Sequence, residues 1–173
     1  MSPGSKASTM SPRPPGFVGR YIVVADEDKV VVGLVIETLL NEGHAVFYAY
    51  DGVSAIQLAL GLKVCDLVIS NTRIGGVAGL ELIHELRAEL PDLPILYLAN
   101  QGRSWAGLER QLPDDVPVLR EPFTAVELRA VVHPLLTAGR ESRSRPPRAR
   151  HPGIADSTGP VPPLPGDRRR RRP

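Results

Sequence analysis

DLVISNTRIGG, residues 66–76, decides how the rest of the chain is read. Leu67, Val68, Ile69 and Ser70 run without a charged residue into Asn71, and Gly75 and Gly76 then break the pattern. A short continuous apolar run of this kind suits a strand buried on both faces, with the glycines marking the loop that leaves it. Asn71 holds the last strand position. The residues around it look built to present a carboxylate, yet an amide stands there.

Working outward, YIVVA (21–25) and PILYL (94–98) have the same character, and AVFYAY (45–50) and VPVL (116–119) are weaker examples. Helical periods lie between them. Val30, Val31, Leu34, Val35, Thr38 and Leu39 recur at three and four residues, as do Leu80, Ile83, Leu86 and Leu90; Val126, Leu128, Val131 and Leu135 do so more loosely. Asp51-Gly52 predicts a helix start with an end near Gly61, and TAVE (124–127) has capping-box spacing. Pro134 predicts a kink or an end near His133. QGRSWAGLERQLPDD (101–115) reads as a short or irregular fourth helix. Five strands alternating with five helices make an α/β, doubly wound, five-stranded parallel sheet of (βα)5 type, because each parallel crossover is right-handed and covers one sheet face.

Composition sets the limits of that domain within the 173 residues. Residues 20–138 carry the apolar patterning, whereas 1–19 and 139–173 are dominated by Pro, Gly, Ser and Arg and are expected to be disordered, because they cannot bury enough apolar surface to offset their ordering entropy. Nothing before Arg20 looks structural, and Met10 is an alternative start to Met1. The net charge of +2 hides an asymmetry: residues 20–138 hold 9 Lys/Arg against 16 Asp/Glu, and residues 139–173 hold 10 Arg against 3 acids. The tail DRRRRRP (167–173) suits a solvated end folding back on its own acidic domain, with nucleic acid or an anionic membrane surface as alternative partners. The single Cys65 excludes an intramolecular disulfide and reads as a buried thiol. No signal-type or transmembrane run follows the N-terminus, so a cytoplasmic location is expected.

Ligands on doubly wound sheets collect at the carboxyl ends of the strands. Those ends are Asp26 and Glu27, Asn71, Ala99 and Glu121. The order and spacing of IVVADED, AYDGVSAI, DLVISNTRIGGVAGLELI, PILYLAN and REPF, over about 20–138, resemble the receiver domain of bacterial response regulators, which has a flavodoxin-like fold. The resemblance implies a signalling module that accepts a phosphoryl group from a histidine kinase onto an aspartate. By position, it puts the Mg²⁺-holding acids on Asp26 and Glu27, the nucleophile on Asn71, the hydroxyl on Ala99 and the phosphate-neutralising lysine on Glu121. Gly75 replaces a proline of the family, Gly79 keeps its glycine, and Val118 sits where many members have a switching aromatic ring.

Three of the four reactive roles are therefore lost. An amide nitrogen has a delocalised lone pair, Ala99 has no donor, and Glu121 inverts a charge that should assist a phosphoryl group. The expectation is a degenerate receiver without enzymatic activity, with Asn71 as a loop cap and with Asp26, Glu27 and Glu121 as an acidic pocket whose carboxylates raise one another's pKa or recruit a cation. Water shared among partly solvated acids is the expected state, and a weakly held Mg²⁺ is the alternative. The partner, a histidine kinase or a downstream protein, is expected on about Gly102–Leu136. Phosphorylation at a non-standard residue, Asp26, Glu27 or Ser70, is the rival reading. No helix-turn-helix pattern, metal-ligand spacing among the histidines, phosphate cradle or nucleophile elbow adds another chemistry; His84 reads as a surface residue, and Trp105, Tyr48, Tyr50 and Tyr97 as packing.

Overall fold

A computed structural model describes residues 13–62, 64–71, 73–74, 77–100, 107 and 109–144. In chain order the elements are β1 (Tyr21–Ala25), α1 (Lys29–Asn41), β2 (Ala45–Ala49), α2 (Gly52–Gly61), β3 (Leu67–Asn71), β4 (Arg73–Ile74), β5 (Val77–Ala78), α3 (Gly79–Glu89), β6 (Ile95–Ala99), a 3-10 turn (Glu109–Gln111), β7 (Val118–Arg120) and α4 (Ala125–Ser144). Five strands form a parallel sheet in the order β2-β1-β3-β6-β7. The crossover after β1 runs to one edge and all later ones run the other way, so the chain winds doubly.

Alternate strand residues divide the core in two. Val23, Ala25, Val68, Ile95 and Tyr97 pack with Ala55 and Ala59 of α2 and Leu82 and Leu86 of α3. Ile22, Val24, Leu67, Ile69 and Leu98 pack with Val35 and Leu39 of α1 and Leu128 and Val132 of α4. Both sheet faces are covered, which is why the strand sequences show no polar alternation. Each fully buried Leu, Ile or Val contributes about 1.5–3 kcal/mol relative to exposure.

Local chemistry sets the helix starts. Asp28 Oδ1 accepts from the Val30 and Val31 amides at 2.8 and 3.4 Å, and Asp51 Oδ1 accepts from the Ser54 amide at 2.8 Å. At α4 the Thr124 amide donates to Glu127 Oε2 at 2.8 Å and the Glu127 amide donates back to Thr124 Oγ1 at 3.3 Å, completing the predicted capping box.

Several expectations need correction. Pro134 does not end the last helix, which continues to Ser144. Leu128, Val132 and Leu136 are buried at successive spacings of four, so the apolar face runs through the proline and its burial offsets a helix penalty of about 3 kcal/mol. Of the expected short or irregular fourth helix, residues 101–106 and 108 lie outside the described residues; of the remainder, Gly107 is helical and Glu109–Gln111 form the 3-10 turn. The loop after β3 contains an unforeseen two-stranded antiparallel ribbon, Arg73–Ile74 with Val77–Ala78. Tyr48 and Tyr50 pack on each other at the surface and not in the core: they are about half exposed, with their rings 5.3 Å apart edge to face. Tyr97 and Cys65 are buried, and His84 is exposed.

The largest correction concerns the N-terminal segment. Residues 13–19 pack beneath the amino ends of the strands. Arg13 pairs with Asp66, and the Tyr21 amide donates to the same Asp66 Oδ2 at 2.9 Å, while Arg20 Nη1 lies 3.8 Å from Oδ1. Phe17, Tyr21 and Phe47 form a chain of ring contacts at 5.5 and 5.6 Å. A guanidinium on a buried carboxylate and a ring on a ring outweigh the ordering entropy of so short a segment. Residues 1–12 and 145–173 lie outside the described residues.

Candidate functional site

Sheet register brings the predicted site together. Ala25 pairs with Ser70, Asn71 with Leu98, and Ala99 with Arg120. The residues one step further, Asp26, Asn71, Asn100 and Glu121, therefore share the carboxyl edge. The backbone continues the ladder there: the Asp26 amide donates to the Ala49 carbonyl at 3.2 Å and the Glu121 amide to the Ala99 carbonyl at 2.9 Å. Asp26 and Asn71 are buried, Glu121 is partly buried, and Glu27 is exposed.

At the centre stands the Asn71 amide. Its Nδ2 donates to Asp26 Oδ2 at 2.7 Å and to Glu121 Oε1 at 3.0 Å. A primary amide has two N–H groups, and both are committed, each to an acid from a different strand. This corrects the view of Asn71 as a simple loop cap and of the acids as an unbridged repulsive cluster. Asn100, its nitrogen turned toward the carboxylate, donates to Glu121 Oε1 at 2.9 Å and also reaches Oε2. Sequence reasoning missed Asn100, although a polar residue directly after a fully apolar strand was a usable signal. Asp26 Oδ1 accepts from the Asp28 amide at 2.8 Å, so each oxygen of the buried acid accepts one N–H.

The bridge moderates the electrostatics without cancelling them. Burial raises the Asp26 pKa, opposed by the bonds from Asn71 and Asp28 and reinforced by the Asp28 and Glu27 charges. Burial is also the first cause of the raised Glu121 pKa, followed by the charges of Asp26 and Asp28, with the Asn71 bond pulling it down. Both acids thus destabilise the fold when ionised, less than they would without the donor between them.

These residues do not fit Mg²⁺. A hard cation needs a convergent set of oxygens. Asn71 turns nitrogen toward Asp26 and Glu121, Glu27 lies exposed beside them, and among the described residues no three His, Cys, Asp or Glu side chains converge to hold a metal. Ala99 is buried and offers a methyl group at the hydroxyl position. Ser70 is completely buried, which removes it from the candidate acceptors. Of the family's features, Gly79 is the one whose need the geometry explains: a Cβ there would lie 1.9 Å from the Asn71 carbonyl oxygen, so glycine lets the start of α3 approach the site strand. Gly75 lies outside the described residues, as does part of the expected docking surface at Gly102–Leu136.

Beside the site, a pocket of about 480 Å³ opens between α1 and the loop from β7 to α4. Val30, Val31, Leu34, Pro122 and Phe123 supply its apolar wall, and Asn100 and Glu121 complete it. Val30 is 80% exposed.

Comparison with known proteins agrees with this architecture. The family model for the response regulator receiver domain matches residues 22–132. The response regulator MprA of Mycobacterium sp. (strain KMS) is 33% identical over 118 residues, covering 66% of this chain and 50% of that protein. The uncharacterized transcriptional regulatory protein YrkP of Bacillus subtilis (strain 168) is 31% identical over 111 residues, covering 64% and 47%. The chain thus spans about half the length of the curated relatives it matches. Among solved structures, the receiver domain of NtrX from Brucella abortus superposes with a TM-score of 0.60 at 26% identity, covering 67% of this chain and 98% of that one. The signal receiver domain of an HD domain-containing protein from Pseudomonas fluorescens Pf-5 gives 0.67 at 21% identity, covering 74% and 94%, a likeness of fold. With its carboxyl-edge site, its sheet order and the matched span in agreement, the chain belongs to the response regulator receiver domain family.

Proposed function

We propose that this receiver operates without phosphoryl transfer, as a non-enzymatic docking module in two-component signalling. One observation carries the reading: at the phosphoacceptor position stands Asn71, whose amide joins Asp26 to Glu121. The bridge holds Asp26, the buried acid at a metal-holding position, against Glu121, the acid that stands at the lysine position. A dianionic phosphoryl group arriving there would meet Glu121 in place of a cation and Ala99 in place of a hydroxyl. The partner is a histidine kinase or a downstream signalling protein, engaged through the surface between Gly102 and Leu136, of which the 3-10 turn, β7 and the first part of α4 are described.

The test is incubation of the full chain with acetyl phosphate and Mg²⁺, followed by intact mass. The expected result is no added phosphoryl group. One phosphoryl mass that maps to Glu27, the exposed acid at the site, overturns the proposal and establishes a non-standard acceptor.

A further inference from the structure

The apolar pocket between α1 and the β7–α4 loop has no occupant among the described residues, and the mouth around it is acidic. Val30 stands 80% exposed at its rim, Phe123 forms its buried wall, and Glu121 lies in its lining, with Glu27 and Asp28 exposed at the neighbouring start of α1. Two cations adjoin these residues in sequence, Arg120 before Glu121 and Lys29 after Asp28, and the Lys29 Nζ sits 5.9 Å over the Tyr50 ring. A fitting ligand would be a short extended segment with apolar residues followed by guanidinium groups. Residues 160–172, PVPPLPGDRRRRR, have that composition in that order.

We propose that the pocket is the docking site of this chain's own C-terminal segment, with Val161 and Leu164 against Val30, Val31 and Phe123 and the arginines of 168–172 over the acidic mouth. Reach permits it. α4 begins beside the pocket and its 20 residues carry the chain about 30 Å away at 1.5 Å per residue. The roughly 16 residues between Ser144 and Val161 return about 50 Å when extended at about 3.1 Å each. A proline-rich segment loses little conformational entropy on docking. Charge favours the same pairing, since residues 20–138 hold 9 Lys/Arg against 16 acids and residues 139–173 hold 10 against 3. Docked there, the tail occupies the surface next to the site edge, and a partner for that surface must first displace it.

A labelled peptide of residues 158–173, titrated by fluorescence anisotropy against full-length chains, tests this. With a tethered effective concentration of about 1 mM and an intrinsic Kd of about 0.1 mM, the native tail should weaken peptide binding about tenfold relative to the V161D/L164D chain. V30E placed in the V161D/L164D chain should abolish binding; Val30 is exposed and its helix start tolerates an acid, so the variant folds. Equal affinity for the native and V161D/L164D chains, or unchanged binding after V30E, overturns the proposal. Hydrogen exchange of the Val30–Leu34 amides in the native chain should be slower than in V161D/L164D and unchanged by tenfold dilution. Protection lost on dilution assigns the pocket to a second copy and also overturns it.

Discussion

Replacing Asn71 by aspartate exchanges a two-handed donor for a third carboxylate. The native amide reaches Asp26 at 2.7 Å and Glu121 at 3.0 Å. Hydrogen bonds to charged acceptors contribute about 1.5–3 kcal/mol each, so losing both costs about 3–6 kcal/mol before repulsion is counted. Protonation imposes a ceiling. At about pH 7, protonating a carboxyl with an ordinary pKa near 4 costs about 4 kcal/mol, after which its O–H restores one donor. With the second donor still missing, N71D should therefore be about 5–7 kcal/mol less stable than the native chain near neutral pH. The sign of the pH dependence follows from the proton that the folded variant holds and the unfolded chain does not. A folded pKa raised above the unfolded value leaves only the one unrestored donor as the penalty below about pH 4 and lets the penalty grow by about 1.4 kcal/mol per unit as pH rises toward the folded pKa. Urea denaturation at about pH 5 and about pH 7 should show the gap widening by about 2–3 kcal/mol. A variant as stable as the native chain near pH 7, or a gap of equal size at both pH values, would refute the bridge as the element that holds the two acids.

N71D should also fail to retain a stable phosphoryl group after acetyl phosphate and Mg²⁺, because Ala99 and Glu121 still lack the hydroxyl and the cation; intact mass over time reads this directly. E121Q keeps an oxygen for the Asn71 and Asn100 donors and removes the charge. It should stabilise the protein near neutral pH by about 0.5–1 kcal/mol after solvent screening. Because the Glu121 pKa is raised, that gain should fade as pH drops through the carboxylate range, which denaturation at about pH 4 checks. G79A drives a methyl group into the Asn71 carbonyl and should cost more than about 2 kcal/mol in thermal or urea unfolding. R13A leaves the buried Asp66 with the more distant Arg20 and should cost about 1–2 kcal/mol, visible as a lower urea midpoint.

The fold was legible because its strands are covered on both faces: Ile22–Ala25, Leu67–Asn71 and Ile95–Ala99 are all buried, and such runs need no neighbour to be recognised. The site was half legible. Position along the strands nominated Asp26, Asn71, Ala99 and Glu121, but which way the Asn71 amide points depends on four strands lying in register, a long-range fact. Glu27 was nominated equally with Asp26, yet burial separates them, since the chain turns outward into α1 between Asp26 and the cap at Asp28. The Arg13–Asp66 pair was hidden because one arginine among prolines and serines carries no local pattern, and its partner stands 53 residues away. Pro134 misled because a local penalty was weighed without the apolar face that continues past it.

A phosphoryl group is a timer: it arrives through one reaction and leaves through another, and the interval between them is the signal. The Asn71 side chain that makes the bridge belongs to the covalent chain and is neither added nor removed by a reaction. Under the proposed function, nothing at this site can be written by a kinase or erased by hydrolysis, so the module carries no memory of a past stimulus. On that reading, what it reports is abundance. Its output follows how much of it exists relative to its partner, and resetting it requires dilution, competition or degradation of the chain itself.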